Sequence, residues 1–270
     1  MLPARRRGAA LGPDPGPVRA RRAAAQHVGS SPVTGDPSTD VSTLATVVVA
    51  VDGTSGSGKS STCRGVAGRL GLRYLDTGAM FRAVTWWMLQ HGVDVHDPDA
   101  VAARAGEPVL ASGTDPDGPT IAVDGVDVSA AIRTEEVTRA VSPVSTVPAV
   151  RARLLAQQRE IIAPPGGPGG GIVVEGRDIG STVWPEAEVK VYVTADPAAR
   201  AARRALEEGG SDVAATEQVL RERDRIDSGR ATAPLVQADG AVHVDTTPYT
   251  LDEVIDLLVD LVERTLAPTP

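Results

Sequence analysis

The stretch Val47–Ser61, Val-Val-Val-Ala-Val-Asp-Gly-Thr-Ser-Gly-Ser-Gly-Lys-Ser-Ser, decides the fold. Val47, Val48, Val49 and Val51 have the β-branched, continuous apolar character of a strand buried on both faces of a parallel sheet. Gly53-Thr54-Ser55-Gly56-Ser57-Gly58-Lys59-Ser60 then matches G-x-x-x-x-G-K-[ST] at every fixed position. Glycines let the chain turn so that successive N–H groups face one concave space, and a following helix adds the positive end of its dipole. Phosphate is the natural guest of such a loop. In this reading Lys59 reaches the β- and γ-phosphates and the Ser60 hydroxyl ligates Mg²⁺. A Gly/Ser-rich turn can match a short pattern by chance, but the strand before it and a helix predicted over 59–70 supply the context that the motif needs. The lysine is also unusual here, because Lys59 and Lys190 are the only two in the chain.

Outward from this loop, composition sets bounds. The chain has 270 residues, a formal net charge of −8 and 41% hydrophobic residues, which describes a globular protein rather than a nucleic-acid binder. No apolar run reaches the length of a membrane span. One cysteine, Cys63, allows no internal disulfide and suits a reducing cytoplasm, the expected location. His27, His91, His96 and His243 show no metal-ligand spacing. Residues 1–43 are rich in Ala, Arg, Pro, Gly and Ser, carry six arginines against three aspartates, and lack apolar periodicity. They are expected to form a disordered basic tail with no catalytic role.

Downstream, strands and helices alternate. A strand at 72–75 ends in Asp76-Thr77-Gly78, and a helix is predicted from about Ala79 to Gly92, with Trp86 and Trp87 as packing residues. Asp97-Pro98 opens a short helix as N-cap and N1. Thr120–Val123, Asp124-Gly125 and Val126–Val128 read as a β-hairpin that interrupts the alternation. Helices are predicted from about 133 and over 148–162. The Pro/Gly loop 164–171 returns the chain to strands at 172–175 and 189–193. Asp196-Pro197 caps a basic helix, Arg221–Arg230 is a dense mix of charges, and a short strand at 242–244 precedes a last helix opened by a Thr250/Glu253 capping box. The organisation expected is an α/β fold with a parallel sheet flanked by helices. Its core spans about 44–92 and 172–270, with an inserted lobe at about 93–163 and a short lid. The lobe and the segment from about Arg200 to Arg230 are expected to close on bound ligands.

A phosphate loop alone admits GTPases, motor ATPases, small-molecule kinases and plain nucleotide binders. An Asn/Thr-Lys-x-Asp element for guanine is missing, and little of the chain is left for a coupled machine. The many arginines of the middle and end suit a kinase with a second anion site.

Four further motifs occur in order: Asp76-Thr77-Gly78-Ala79-Met80-Phe81-Arg82, Ile132-Arg133-Thr134-Glu135-Glu136-Val137, Glu175-Gly176-Arg177-Asp178-Ile179-Gly180, and Arg223-x-x-x-Asp227-x-x-Arg230-x-x-x-Pro234-Leu235. With the loop they closely resemble bacterial cytidylate kinases, from about Thr46 to the C-terminal helix. The resemblance implies the phosphate-loop nucleoside-monophosphate-kinase fold over 44–270 and transfer of the ATP γ-phosphoryl group to CMP or dCMP with Mg²⁺. It implies ATP contacts from Gly53, Thr54, Ser55, Gly56, Ser57, Gly58, Lys59, Ser60 and Ser61, with Arg200, Arg203 and Arg204 of the lid. It assigns Thr77, Arg82, Arg151, Asp178 and Arg230 to the acceptor's phosphate and base, and Ser142, Arg223 and Asp227 to its ribose. Lys59, Arg177, Arg223 and Arg230 are the expected catalytic residues. Phe81 stands where tyrosine is common, and Thr77 where serine is. A monomer that binds ATP and CMP or dCMP, without nucleic acid or membrane, is the expected form. A kinase for UMP or AMP, or a nucleotide-dependent binding protein without turnover, remain the alternatives.

Overall fold

The computed structural model describes residues 44, 46–163, 170–207, 210, 212–230 and 232–267. The expected tail and most of the Pro/Gly loop lie outside the described residues. Strand β1, Val48–Gly53, is buried along its whole length. Its side chains alternate between two cores, Val48 and Ala50 on one face of the sheet and Val47, Val49 and Val51 on the other. Helix α1, Lys59–Leu70, follows, bounded by left-handed Gly58 (φ 85°) and Gly71 (φ 64°).

Strand β2 is Arg73–Asp76 and helix α2 is Thr77–Gln90. The helix begins two residues before its predicted start, because Asp76 caps it by accepting from Ala79 N at 2.9 Å. Glycine in the first turn masks that start in the sequence. Helix α3, Pro98–Arg104, begins as predicted, with the Asp97 carboxylate accepting from Asp99 N and Ala100 N.

Strands β3 (Leu110–Ser112), β4 (Ile121–Val123) and β5 (Val126–Asp127) form a separate antiparallel sheet. The β4–β5 turn places Asp124 (φ 52°) and Gly125 (φ 80°) in the left-handed region that a two-residue hairpin needs. A 3₁₀ turn, Ala131–Arg133, leads to α4 (Glu135–Thr146), and Pro148 opens α5 (Pro148–Ile162).

Strand β6, Ile172–Gly176, re-enters the main sheet, and a π-helical turn, Ile179–Val183, follows it. Then come β7 (Val189–Thr194), α6 (Pro197–Glu207), α7 (Val213–Ser228), β8 (Val242–Asp245) and α8 (Leu251–Leu266). The main sheet is wholly parallel, in the order β2-β6-β1-β7-β8. Helices α1 and α8 supply the core on one face. Helices α2, α4 and α5 and the small sheet supply it on the other. The capping box is present, with Thr250 N donating to Glu253 Oε2 at 2.8 Å. Among the described residues no helix is long and apolar enough to cross a membrane.

Candidate active site

The carboxyl ends of β1, β2 and β6 open into a cavity of about 410 Å³. The loop after β1 forms its floor. Gly53 holds φ 147°, and a Cβ there would stand 1.9 Å from Val193 O, so the first glycine of the motif is required by the neighbouring strand. Ser55, Gly56, Gly58, Lys59, Ser60 and Ser61 line the cavity. Lys59 is buried, and its Nζ donates to Thr54 O at 2.7 Å, folded back over the loop. Burial first, then the Arg177 guanidinium, pushes its pKa down, while Glu175 opposes them. An anion arriving at the loop would reverse that balance.

Charge around the floor is lopsided. The wall carries nine cationic side chains (Lys59 and eight arginines) against four carboxylates. Arg177 Nε donates to Asp227 Oδ2 at 2.9 Å and Arg230 grips Asp227 Oδ1, so one carboxylate of α7 fixes two guanidiniums. Arg223 is partly buried, and its Nε, like that of Arg230, is enclosed without a hydrogen-bond partner. Burial, then Arg177 and Arg204, lowers the Arg223 pKa to about 10. Burial, then Arg151, does the same for Arg230. Arg82 falls to about 9, mainly through burial, and donates to Ile132 O and Thr138 Oγ1. Crowded, incompletely satisfied guanidiniums of this kind are stabilised by an anion.

At the opposite end Asp178 lines the cavity and accepts from Arg151 Nη2 at 2.6 Å. Burial raises its pKa despite that partner. Thr77 donates to Glu175 O at 2.7 Å, and Ser142 lines the cavity from α4.

Some of the residues read from the sequence stand elsewhere than expected. Arg151 is not on the wall; it lies behind Asp178, its guanidinium 5.4 Å from the Phe81 ring centroid. Arg200 is buried and off the wall, donating to Ala195 O, Ser55 O and Asp224. Arg203 and Arg204 do line the cavity, and Arg203 donates to Thr246 O at 2.8 Å. Gly53, Thr54 and Ser57 shape the loop from outside the wall. Ser57 Oγ, for its part, donates to Thr54 O.

Sequence reasoning assigns no role to Asp76, Arg133, Glu175 or Asp52, yet all four belong to the site or its frame. Asp76 pairs with Arg133 at 3.1 Å on the acceptor side. Both stand in motifs quoted above, but their pairing depends on a contact across 57 positions. Glu175, buried at the end of β6, accepts from the Tyr74 hydroxyl at 2.6 Å and also bonds the Ser60 side chain. Burial, then the nearby Asp76 charge, raises its pKa. Asp52 accepts from Ile179 N at 2.7 Å and Gly180 N at 2.8 Å, which ties β1 to the turn after β6. Burial raises its pKa to about 6 against those two bonds.

The donor set suits a hard divalent cation. Ser60 and Glu175 offer oxygen ligands, and extra positive charge would relieve the repulsion between Glu175 and Asp76. Among the described residues no cluster of three or more His, Cys, Asp or Glu could hold a metal alone. Such a cation would therefore depend on phosphate oxygens and water for most of its ligands.

A glycine loop and helix N-terminus at the carboxyl end of a central parallel strand, facing a guanidinium-lined cavity, define the phosphate-loop class of α/β proteins. The family profile described as Cytidylate kinase matches residues 49–264. A cytidylate kinase of Streptomyces griseus is 58% identical over 227 residues, covering 84% of this chain and 97% of that protein. Those of Streptomyces avermitilis and Nocardia farcinica are 56% and 51% identical, each covering 82% of this chain and 95% of the relative. The chain belongs to the cytidylate kinase family.

Proposed function

We propose that this chain transfers the γ-phosphoryl group of ATP to CMP or dCMP, giving ADP and CDP or dCDP, through the residues placed above. The observation that carries the assignment of the site is the excess of guanidinium charge around one cavity, with Arg223 Nε enclosed and without a hydrogen-bond partner.

The attacking group is a phosphate monoester whose second pKa lies near about 6, so it is largely ionised at neutral pH and requires no general base. The task is to gather like charges in line, by positioning and charge stabilisation. The loop and Lys59 hold the β- and γ-phosphates of the donor. Arg82, Arg177, Arg223 and Arg230 surround the phosphoryl group in flight and the acceptor phosphate, each planar fork able to grip two oxygens. Mg²⁺, held by Ser60 with Glu175 beside it, would neutralise charge on the donor phosphates. Thr77 and Ser142 frame the acceptor, with Asp227 near its ribose. Arg230 and Asp178 face its base, Arg151 bracing Asp178 from behind.

Cytosine presents acceptors at N3 and O2 and an amino donor at C4, whereas uracil reverses N3 and C4. Donors from Arg230 and an acceptor from Asp178 thus favour cytosine. Two mismatches at about 1–3 kcal/mol each would disfavour UMP by about ten- to ten-thousand-fold. A coupled ADP-release assay across CMP, dCMP, UMP and AMP tests the reading. Rapid CMP- and dCMP-dependent ADP formation with poor use of UMP is expected. Equal use of UMP would overturn the base assignment, and no CMP-dependent turnover would overturn the activity.

A further inference from the structure

The apex of the phosphate loop is clamped from outside the cavity by two helices of the lid. Ser55 N donates to Asp224 Oδ1 of α7 at 3.2 Å. The carbonyl of the same residue accepts from Arg200 Nη1 of α6 at 2.9 Å. Arg200 Nη1 also donates to Asp224 Oδ2, and Arg200 Nε donates to Ala195 O at 3.1 Å. Both backbone groups of Ser55 are thus held by one ion pair whose arginine is buried and whose aspartate is partly so. Contact extends to the next residue, since a Cβ on Gly56 would lie 3.4 Å from Leu220 Cδ1 and 3.5 Å from Arg200 Cβ. Leu220 is itself buried.

Asp224 does not line the cavity, but its helix and the residues just after it supply three that do, Arg223, Asp227 and Arg230. Asp224 is next to Arg223 and lies three positions before Asp227, which in turn holds Arg177 and Arg230. Whatever fixes Asp224 against the loop therefore fixes the guanidinium set at the loop. We infer that Asp224 is a positioning residue: by joining Ser55 N–H to Arg200 it makes the phosphate loop and the arginine helix α7 one body, with Arg223 set over the phosphate site before ligands arrive. A clamp in place beforehand needs no reorganisation at the moment of transfer. The closure expected of the whole segment 200–230 would then be confined to other parts of the molecule.

This inference rests on the proposed kinase activity only for its kinetic arm. Amide hydrogen exchange of the full chain without ligand reads the tie directly. Asp224→Ala should exchange at least about tenfold faster over residues 54–58 and 220–228. Arg200→Met, which breaks the other half, should speed the same two segments even if the alanine variant folds poorly. Asp224→Asn keeps an acceptor for Ser55 N–H and should stay within about threefold of wild type. In the ADP-release assay Asp224→Ala should lose at least about tenfold in kcat with KM for CMP within about threefold, and Asp224→Asn should restore most of the loss. Wild-type exchange rates in both alanine and methionine variants, a kcat within about twofold of wild type in Asp224→Ala, or an asparagine variant no better than alanine would overturn the inference. Absence of CMP-dependent turnover in the wild type would instead overturn the proposed activity, leaving the exchange result to stand alone.

Discussion

One wall of the cavity consists of the loop after β1, the end of β6 and helix α7; the other is the inserted lobe with its hairpin. The first is joined by bonds to backbone groups and by buried or partly buried pairs: Asp52 to the turn after β6, Arg200 and Asp224 to Ser55, and Asp227 between Arg177 and Arg230. The hairpin side meets the loop helix through exposed Arg64, whose Nε and Nη2 donate to Pro116 O at 2.7 Å and Asp117 O at 3.1 Å. Its ion pair to β2, Arg133–Asp76, leaves the arginine 53% exposed. Breaking a buried charged pair costs about 3–5 kcal/mol, whereas an exposed pair contributes about 0–1 kcal/mol. The phosphate loop and the guanidiniums thus share a fixed wall, and the loosely held part of the other is the edge carried by the small sheet, since Arg151 of the same lobe is tied to Asp178 by a buried pair.

The comparison is broken most directly at its floor. Lys59→Ala should lose at least about a thousandfold in turnover, because the transition state loses a charge the fixed wall was built to place. Its unfolding midpoint should remain within a few degrees of wild type. Turnover above a few per cent in a well-folded variant would show that the fixed wall is not where transfer occurs.

Asp52 tests how the same wall is held together. Its pKa lies near 6 in the folded chain against 3.8 for a free side chain, so the folded state keeps its proton more readily. The stability that Asp52 contributes is therefore fully present below about pH 4 and declines as pH rises through about 6. Asp52→Asn carries no such titration. The margin by which wild type exceeds it in denaturant unfolding should shrink by up to about 3 kcal/mol between about pH 4 and 7. A margin that widens with pH would mean that Asp52 acts as a charged anchor, and the account of its burial would fail.

The smallest effect belongs to the loose edge. Arg64→Ala should raise KM for CMP by no more than about fivefold, leave kcat within about twofold, and speed hydrogen exchange over residues 113–120. A hundredfold loss of kcat would place the hairpin among the fixed parts and erase the contrast between the walls.

Much of the fold is legible in the amino-acid sequence, because its elements obey short-range rules. Valine runs mark β1 and β6, the glycine spacing marks the loop, and Asp97-Pro98, Asp124-Gly125 and Thr250/Glu253 mark ends and turns that the structure reproduces. Helix α7 is legible only as a run of charges, since among its described residues Leu220 and Asp227 alone are buried and no apolar stripe advertises a helix. Strand β3 is three residues long and escapes any periodicity. Arg200 reads as one more cation on a solvated helix face, and its burial depends on Asp224, 24 positions away. Arg151 likewise carries no local sign that it stands behind Asp178, 27 positions on, rather than beside it. Contacts of this sort are fixed by packing, which no pattern within a few residues reports.

The lopsided charge of the cavity has a consequence for how nucleotides find it. A chain of net charge −8 meets anions with long-range repulsion, yet its cavity wall carries nine cations against four carboxylates. At physiological ionic strength the Debye length is about 8 Å, so the distant repulsion is largely screened while attraction within the partly desolvated cavity is screened much less. Encounter with a nucleotide is thus governed at the mouth of the cavity, and moderate salt clears the approach before it begins to weaken the hold.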